Sequence, residues 1–200
     1  SEYLGCLRDS PSAAQRLCHI LSKSRFLGDA LNKSVESVTW LGSDNDLQPR
    51  SRESLDVQTH ASLERNAGSI NDFANSIRAM RRHEIERIGL GWMSGVIDDK
   101  ASLAGMTDVY DAAIDASLTW AIRHQTQEMG LDEAPAAIAV IGMGRYGGRE
   151  VNFSSDADVI IIYRPSDNAD DNQANLFARK VQEDLRAILQ GPTTLEPKIE

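Results

Sequence analysis

The chain has 200 residues, 41% of them hydrophobic, which is enough to bury a core and too many for wholesale disorder or a bare peptide hormone. Thirty acidic against 21 basic residues leave a formal charge of −9, a balance that opposes general binding to nucleic acid or to an anionic membrane surface. Cys6 and Cys18 are too few for a disulfide framework and have no CxxC spacing, and no apolar run reaches the roughly 18 residues of a membrane helix.

With no basic-then-apolar leader at the N-terminus either, these features point to the cytoplasm, with neither nucleic acid nor membrane as partner. The start at Ser1 instead of Met points to processing or to a piece of a longer protein.

In chain order, residues 12–33 place Leu17, Ile20 and Leu21 at helical spacing behind Ser12 as a candidate N-cap, predicting one helix or two short ones. Residues 42–53 are polar, contain Pro49 and read as a loop. The clearest helix spans 69–93, where Ile70, Phe73, Ile77, Met80, Ile85 and Ile88 recur mostly at three- and four-residue steps. Arg78, Arg81, Arg82 and Arg87 fall on its other faces and read as a solvated surface, while Gly89, Gly91 and Gly95 are expected to end or bend it. A further helix is predicted from about Thr107 to Met129, capped by Thr107-Asp108 and closed by Gly130, with Val109, Ala113, Ala116 and Trp120 in one stripe.

The pattern then changes. AAIAVIGM (136–143) and DVIIIY (158–163) are short apolar runs rich in β-branched residues and predict buried strands. Leu176, Val181, Leu185 and Ile188 return to a helical period before Gly191-Pro192, and LEPKIE (195–200) reads as the start of another strand. The expected class is α+β, with a helical region over 1–130 feeding a small α/β unit over 131–200.

The chemistry concentrates between the two predicted strands. Gly142, Gly144 and Gly147 spell GxGxxG directly after a strand, yet the link to Asp156 is too short for the crossover helix of a dinucleotide-binding fold. Asp156 and Asp158, two residues apart on an extended segment, project carboxylates to one face with Cα atoms about 6–7 Å apart. Such a pair of hard oxygen ligands suits Mg²⁺ or Mn²⁺, and a glycine turn with Arg145 beside it suits phosphate oxygens. Without that turn, an isolated DxD would read as a solvated strand start.

This order of strand, Gly-x turn and Asp-x-Asp resembles that of the DNA polymerase β-like nucleotidyltransferases, with Gly142-Met143 where a Gly-Ser or Gly-Gly pair is usual. More closely, Gly142-Met143-Gly144-Arg145-Tyr146-Gly147-Gly148-Arg149-Glu150 followed by Ser155-Asp156-Ala157-Asp158 resembles the hallmark of the bacterial glutamine synthetase adenylyltransferase family. RRHEIERIGLGWMSG (81–95) is similar to that family's arginine-rich helix, so the resemblance covers most of residues 70–200.

The resemblance implies a small mixed-sheet nucleotidyltransferase core, truncated at the C-terminus, with the helical region packed on it. It implies Asp156 and Asp158 as catalytic metal ligands, and Gly142, Met143, Gly144, Arg145, Gly147 and Ser155 as nucleotide-binding residues. It also implies ATP as substrate, Mg²⁺ or Mn²⁺ as cofactor, glutamine synthetase as the protein acted upon, and the nitrogen-regulatory PII signal protein as a partner of the full-length enzyme.

The SDADV form and the ending TTLEPKIE look more like the C-terminal, adenylylating domain of the family than like its phosphorolytic, adenylyl-removing one. A non-catalytic interaction module is the remaining alternative. A third carboxylate is expected on a strand after a segment like LEPKIE, so a chain ending at Glu200 is expected to be an inactive fragment, with Glu196 and Glu200 poor substitutes.

Other polar residues have plainer readings. His19, His60, His83 and His124 are scattered without metal-ligand spacing, and Trp40, Trp92 and Trp120 read as packing residues. Asp167, Asp170 and Asp171 precede a helix, where acids favour the N-terminal dipole. Glu150 and Asn152 read as structural support for the turn.

Overall fold

Serine and aspartate side chains set where most of the helices begin. In the computed structural model, which describes residues 2–167 and 169–190, α1 (Glu2–Asp9) is followed by α2 (Pro11–Lys23) and α3 (Arg25–Lys33), then by a 3-10 helix over Val35–Gly42. After the loop around Pro49 come α4 (Arg52–Arg65), α5 (Ile70–Met93) and α6 (Asp99–Glu128). Ser10, Ser24, Ser51, Ser69 and Asp98 each accept a hydrogen bond from a backbone N–H in the first turn of α2, α3, α4, α5 and α6. Each such cap is worth about 1 kcal/mol of helix stability.

Several predicted boundaries move accordingly. Ser10 caps α2, while the Ser12 hydroxyl lies 3.0 Å from that of Ser10. Helix α6 begins behind Asp98, well before Thr107-Asp108, and Thr107 sits inside it with its hydroxyl donating to Leu103 O at 2.9 Å. Gly89 and Gly91 do not break α5. They let other parts of the chain approach it, since a side chain at Gly91 would collide with Leu47 O and one at Gly89 with Leu27.

The strands β1 (Ala136–Gly142) and β2 (Val159–Pro165) form a two-stranded antiparallel sheet. A single helical turn, α7 (Gly144–Gly147), lies between them, and α8 (Asp171–Leu189), capped by Asp170, follows. The expected mixed sheet is not present among the described residues, because the link from Met143 to Asp158 holds no crossover helix and returns the chain antiparallel. Nor are the strands buried on both faces. Ile138, Val140, Val159 and Ile161 turn towards the helices, whereas Ile141, Ile160 and Ile162 on the other face are exposed. The predicted strand LEPKIE, with Glu196 and Glu200, lies outside the described residues.

One apolar cluster runs from Leu55 of α4 through Phe73 and Ile77 of α5 and Tyr110 and Trp120 of α6 to Phe177, Val181 and Leu185 of α8. A second gathers Ile20, Leu27, Leu31, Leu41 and Leu47 against Leu90 of α5. The class is therefore α+β, largely helical. No helix among the described residues is long and apolar enough to cross a membrane.

The arginines of α5 are not a solvated face; of the four, Arg82 alone is exposed. Arg78 donates through Nε to Ile188 O at 2.9 Å and also to Ala187 O, and Arg81, 1% exposed, donates to Leu189 O at 3.2 Å. They satisfy carbonyls that the last turn of α8 leaves without helical partners. Arg87 bonds Glu84 Oε2 at 3.1 Å and stacks over the Trp40 ring, 4.1 Å from its centre. His124 bonds Asp184 Oδ2 at 2.8 Å and stacks on Trp120, and Trp120 in turn stacks on Phe73, so Trp120 is a packing residue as expected.

Glu86 is buried between the 3-10 helix and α5, with Oε1 lacking a hydrogen-bond partner. Burial pushes its carboxyl up from 4.5 to about 7, against a smaller opposing hydrogen bond from Ser37. Between those values the folded chain keeps a proton that the unfolded chain has released. This stabilisation is thus complete below pH 4.5 and is lost as the pH rises through 7. Thermal denaturation should show Glu86→Gln with a higher Tm than the parent at pH 8 and an equal one at pH 4; a Tm difference independent of pH would contradict the assignment.

Candidate active site

The antiparallel register brings the glycine turn to the aspartates. Gly142 at the end of β1 faces Val159 at the start of β2, and one step further Met143 N donates to Asp158 O at 2.8 Å. The chain then enters α7 through Gly144, whose φ of 51° is a left-handed conformation that glycine adopts without strain. Asp158 Oδ2 lies 3.6 Å from where a Gly144 Cβ would stand, so the open side of the turn adjoins this carboxylate.

Gly147 is needed for a different reason: a side chain there would run into Gly142 O. The Tyr146 ring packs over Gly142 from below, buried, and its hydroxyl donates to Asp111 Oδ1 of α6 at 2.6 Å. Burial, and then Asp111, push this phenol far above its ordinary range, so it remains a donor.

A second tight loop precedes β2. Asn152 Oδ1 accepts from Ser154 N and from the Ser155 hydroxyl, each at 2.9 Å, and Asn152 N donates back to Ser155 Oγ at 3.3 Å. Arg145 NH1 also donates to Ser155 Oγ at 3.3 Å, tying the glycine turn to this loop. Ser155 is buried and acts as a brace. Asn152 is the structural support expected of it.

Ala157 is fully buried between exposed Asp156 and Asp158, so the two carboxylates share the outward face, as their spacing predicted. Neither makes a hydrogen bond or ion pair to a described residue. Paired, exposed, unengaged carboxylates beside a turn of backbone N–H groups fit the donor chemistry of Mg²⁺ or Mn²⁺. Among the described residues no third Asp, Glu, His or Cys joins them to complete a metal cluster. Gly142, Met143, Gly144, Arg145, Gly147, Ser155 and Asp158 are thus brought into one neighbourhood, with Asp156 at its edge.

The sequence reading did not find Asp111 and quoted Arg149 only within the hallmark string, without a role; Arg149 adopts a φ of 58° just after the turn. Arg149 pairs with Asp108 at 2.6 Å and with Asp111 at 3.5 Å. A signal was present: Asp108, Asp111 and Asp115 recur at three and four residues along α6, one acidic face on a helix that otherwise packs inward.

Residues 14–197 match the family described as glutamate-ammonia ligase adenylyltransferase. The chain belongs to that family. Over 200 residues it is 76% identical to a protein of Bifidobacterium longum (strain DJO10A) named bifunctional glutamine synthetase adenylyltransferase/adenylyl-removing enzyme, covering all of this chain and 19% of that protein. Proteins of the same name from Leifsonia xyli and Mycobacterium tuberculosis (strain CDC 1551 / Oshkosh) are 37% and 34% identical, over 94% and 100% of this chain and 18% and 20% of theirs. This member of the adenylyltransferase family thus spans about a fifth of the length of the curated relatives it matches.

The packing of the turn makes a stability prediction. Gly147→Ala forces Gly142 and the turn apart and should cost about 1–3 kcal/mol, a Tm loss of several degrees in thermal denaturation. Gly148→Ala, whose Cβ would come no closer than 3.4 Å to Gly144 O, should leave Tm unchanged. Equal losses would show that the turn is not packed as described.

Proposed function

We propose that the chain carries the nucleotide- and metal-binding part of an adenylyltransferase that moves AMP from ATP to a tyrosine of glutamine synthetase. Residues 131–200 are the nucleotidyltransferase core in this reading, carried on the helical region 1–130. The observation that supports it most is the register that lays the glycine turn against Asp158, pinned by the Met143–Asp158 backbone bond.

In this reading Asp156 and Asp158 hold Mg²⁺ or Mn²⁺, which when bound offsets charge on the ATP phosphates. Backbone N–H groups of the turn orient phosphate oxygens, and the exposed Arg145 guanidinium adds positive charge over them. The acceptor phenol oxygen forms a bond to the α-phosphorus as the bond to pyrophosphate breaks. A phenol with a pKa of about 10 needs a base for its proton, the part assigned to the third carboxylate of the complete protein. Such an enzyme works in the cytoplasm, under control of a PII-type signal protein.

The name of the relatives covers both addition and removal of the adenylyl group. The SDADV form of residues 155–159 and the TTLEPKIE ending support addition, through the resemblance.

The test uses the complete protein that contains this chain, with α-labelled ATP, Mg²⁺ and unmodified glutamine synthetase. Label should appear on glutamine synthetase and fall by at least about a hundredfold in Asp156→Asn. Orthophosphate-dependent release of labelled ADP from modified glutamine synthetase, without any forward transfer, would assign the opposite direction.

A further inference from the structure

The glycine turn is held from behind by an ionic lock that lies on another element. Tyr146, in the middle of the turn, reaches α6 through its 2.6 Å bond to Asp111. Arg149 closes the same turn: its N–H donates to Tyr146 O at 3.0 Å, and Glu150 N donates to Arg145 O at 2.7 Å. A non-glycine residue at φ 58° costs roughly 1–2 kcal/mol, so the conformation persists only where the surroundings enforce it. Here the guanidinium is tethered to Asp108 and Asp111. Asp111 Oδ2 meets a second cation, Arg52 of α4, at 3.5 Å, and Arg52 is itself fixed by Asp56 at 2.7 Å and by Asp115. Asp111 therefore sits where α4, α6 and the turn meet.

We propose that Asp111 is a positioning residue for the nucleotide site, fixing the glycine turn through Tyr146 and Arg149 so that its N–H groups stay aimed past Asp158. The inference rests on the nucleotide-binding reading of that site. The lock includes neither Asp156 nor Asp158. It acts on the backbone, and a backbone cradle for phosphate works only when its N–H groups are already oriented before the ligand arrives. Displacement of a positioning group by about 1 Å costs of order a hundredfold in rate, far more than the lost bond itself.

Tyr146→Phe keeps the buried ring over Gly142 and removes only the hydroxyl that reaches Asp111. Asp111→Asn keeps shape and removes the charge that Arg149 and Arg52 share. Asp115→Asn removes an acid from the same helix face that meets Arg52 and not the turn.

The test measures Mg·ATP affinity and steady-state transfer in the complete protein, with Tm recorded for every variant. Tyr146→Phe and Asp111→Asn should each weaken Mg·ATP binding by about tenfold, leave KM for glutamine synthetase unchanged, and combine to no more than the larger single loss. Asp115→Asn should bind Mg·ATP as the parent does. Affinities unchanged in Tyr146→Phe, single losses that multiply, or an equal loss in Asp115→Asn would overturn the lock, the last by showing general loosening of α6. Failure of the parent protein to bind Mg·ATP would overturn the nucleotide-site reading itself, and the inference with it.

Discussion

The backbone bond from Met143 N to Asp158 O decides the geometry of the candidate site. It extends the antiparallel ladder one step past Gly142–Val159, so the end of one strand and the start of the next are locked side by side. A link long enough for a crossover helix would have allowed a parallel pair and placed the glycine turn at the far end from the carboxylates. The short link makes that impossible. Glycine at 144 and 147 then lets the chain turn back close to Gly142 and Asp158 without a side chain in the way.

Two strands alone are marginal in water, and the helices stabilise these ones. The inward face, with Val140, Val159 and Ile161, packs into the cluster shared by α6 and α8. Helix α8 is held in turn by Arg78 and Arg81, which reach the carbonyls of its last turn from α5. From the same face of α6, Asp108 and Asp111 take hold of the turn. The long helix α6 thus supports the strands along one stretch and the turn along another, while the carboxylates face away from it.

Helices with a clear contrast between faces were legible from the sequence: α5 and α8 lie within a few residues of where Ile70–Ile88 and Leu176–Ile188 predicted them. Helix α4 was not, because its buried face includes Thr59 and Ser62 beside Leu55 and Leu63, which blurs the periodic signal. The first turns of α6 were missed because Ser102 and Gly105 are buried there, small residues that look like a loop. The α5 arginines misled because charge usually faces water, whereas here it caps another helix, a contact set by tertiary packing alone. At the site, the shared outward face of Asp156 and Asp158 followed from local spacing, and the nearness of the glycine turn to them from the short link. The Tyr146–Asp111 contact joins residues 35 apart and depends on how α6 docks, which no local pattern encodes.

In the proposed reading a metal–nucleotide complex binds on the outward face beside the turn, and not on the acidic face of α6. Paramagnetic broadening of backbone amide signals by substoichiometric Mn²⁺ in the presence of ATP reads this directly. Signals of residues 143–147 and 156–158 should vanish first, and Asp158→Asn should abolish the effect. Broadening centred on Asp108, Asp111 and Asp115, undisturbed by Asp158→Asn, would contradict the account.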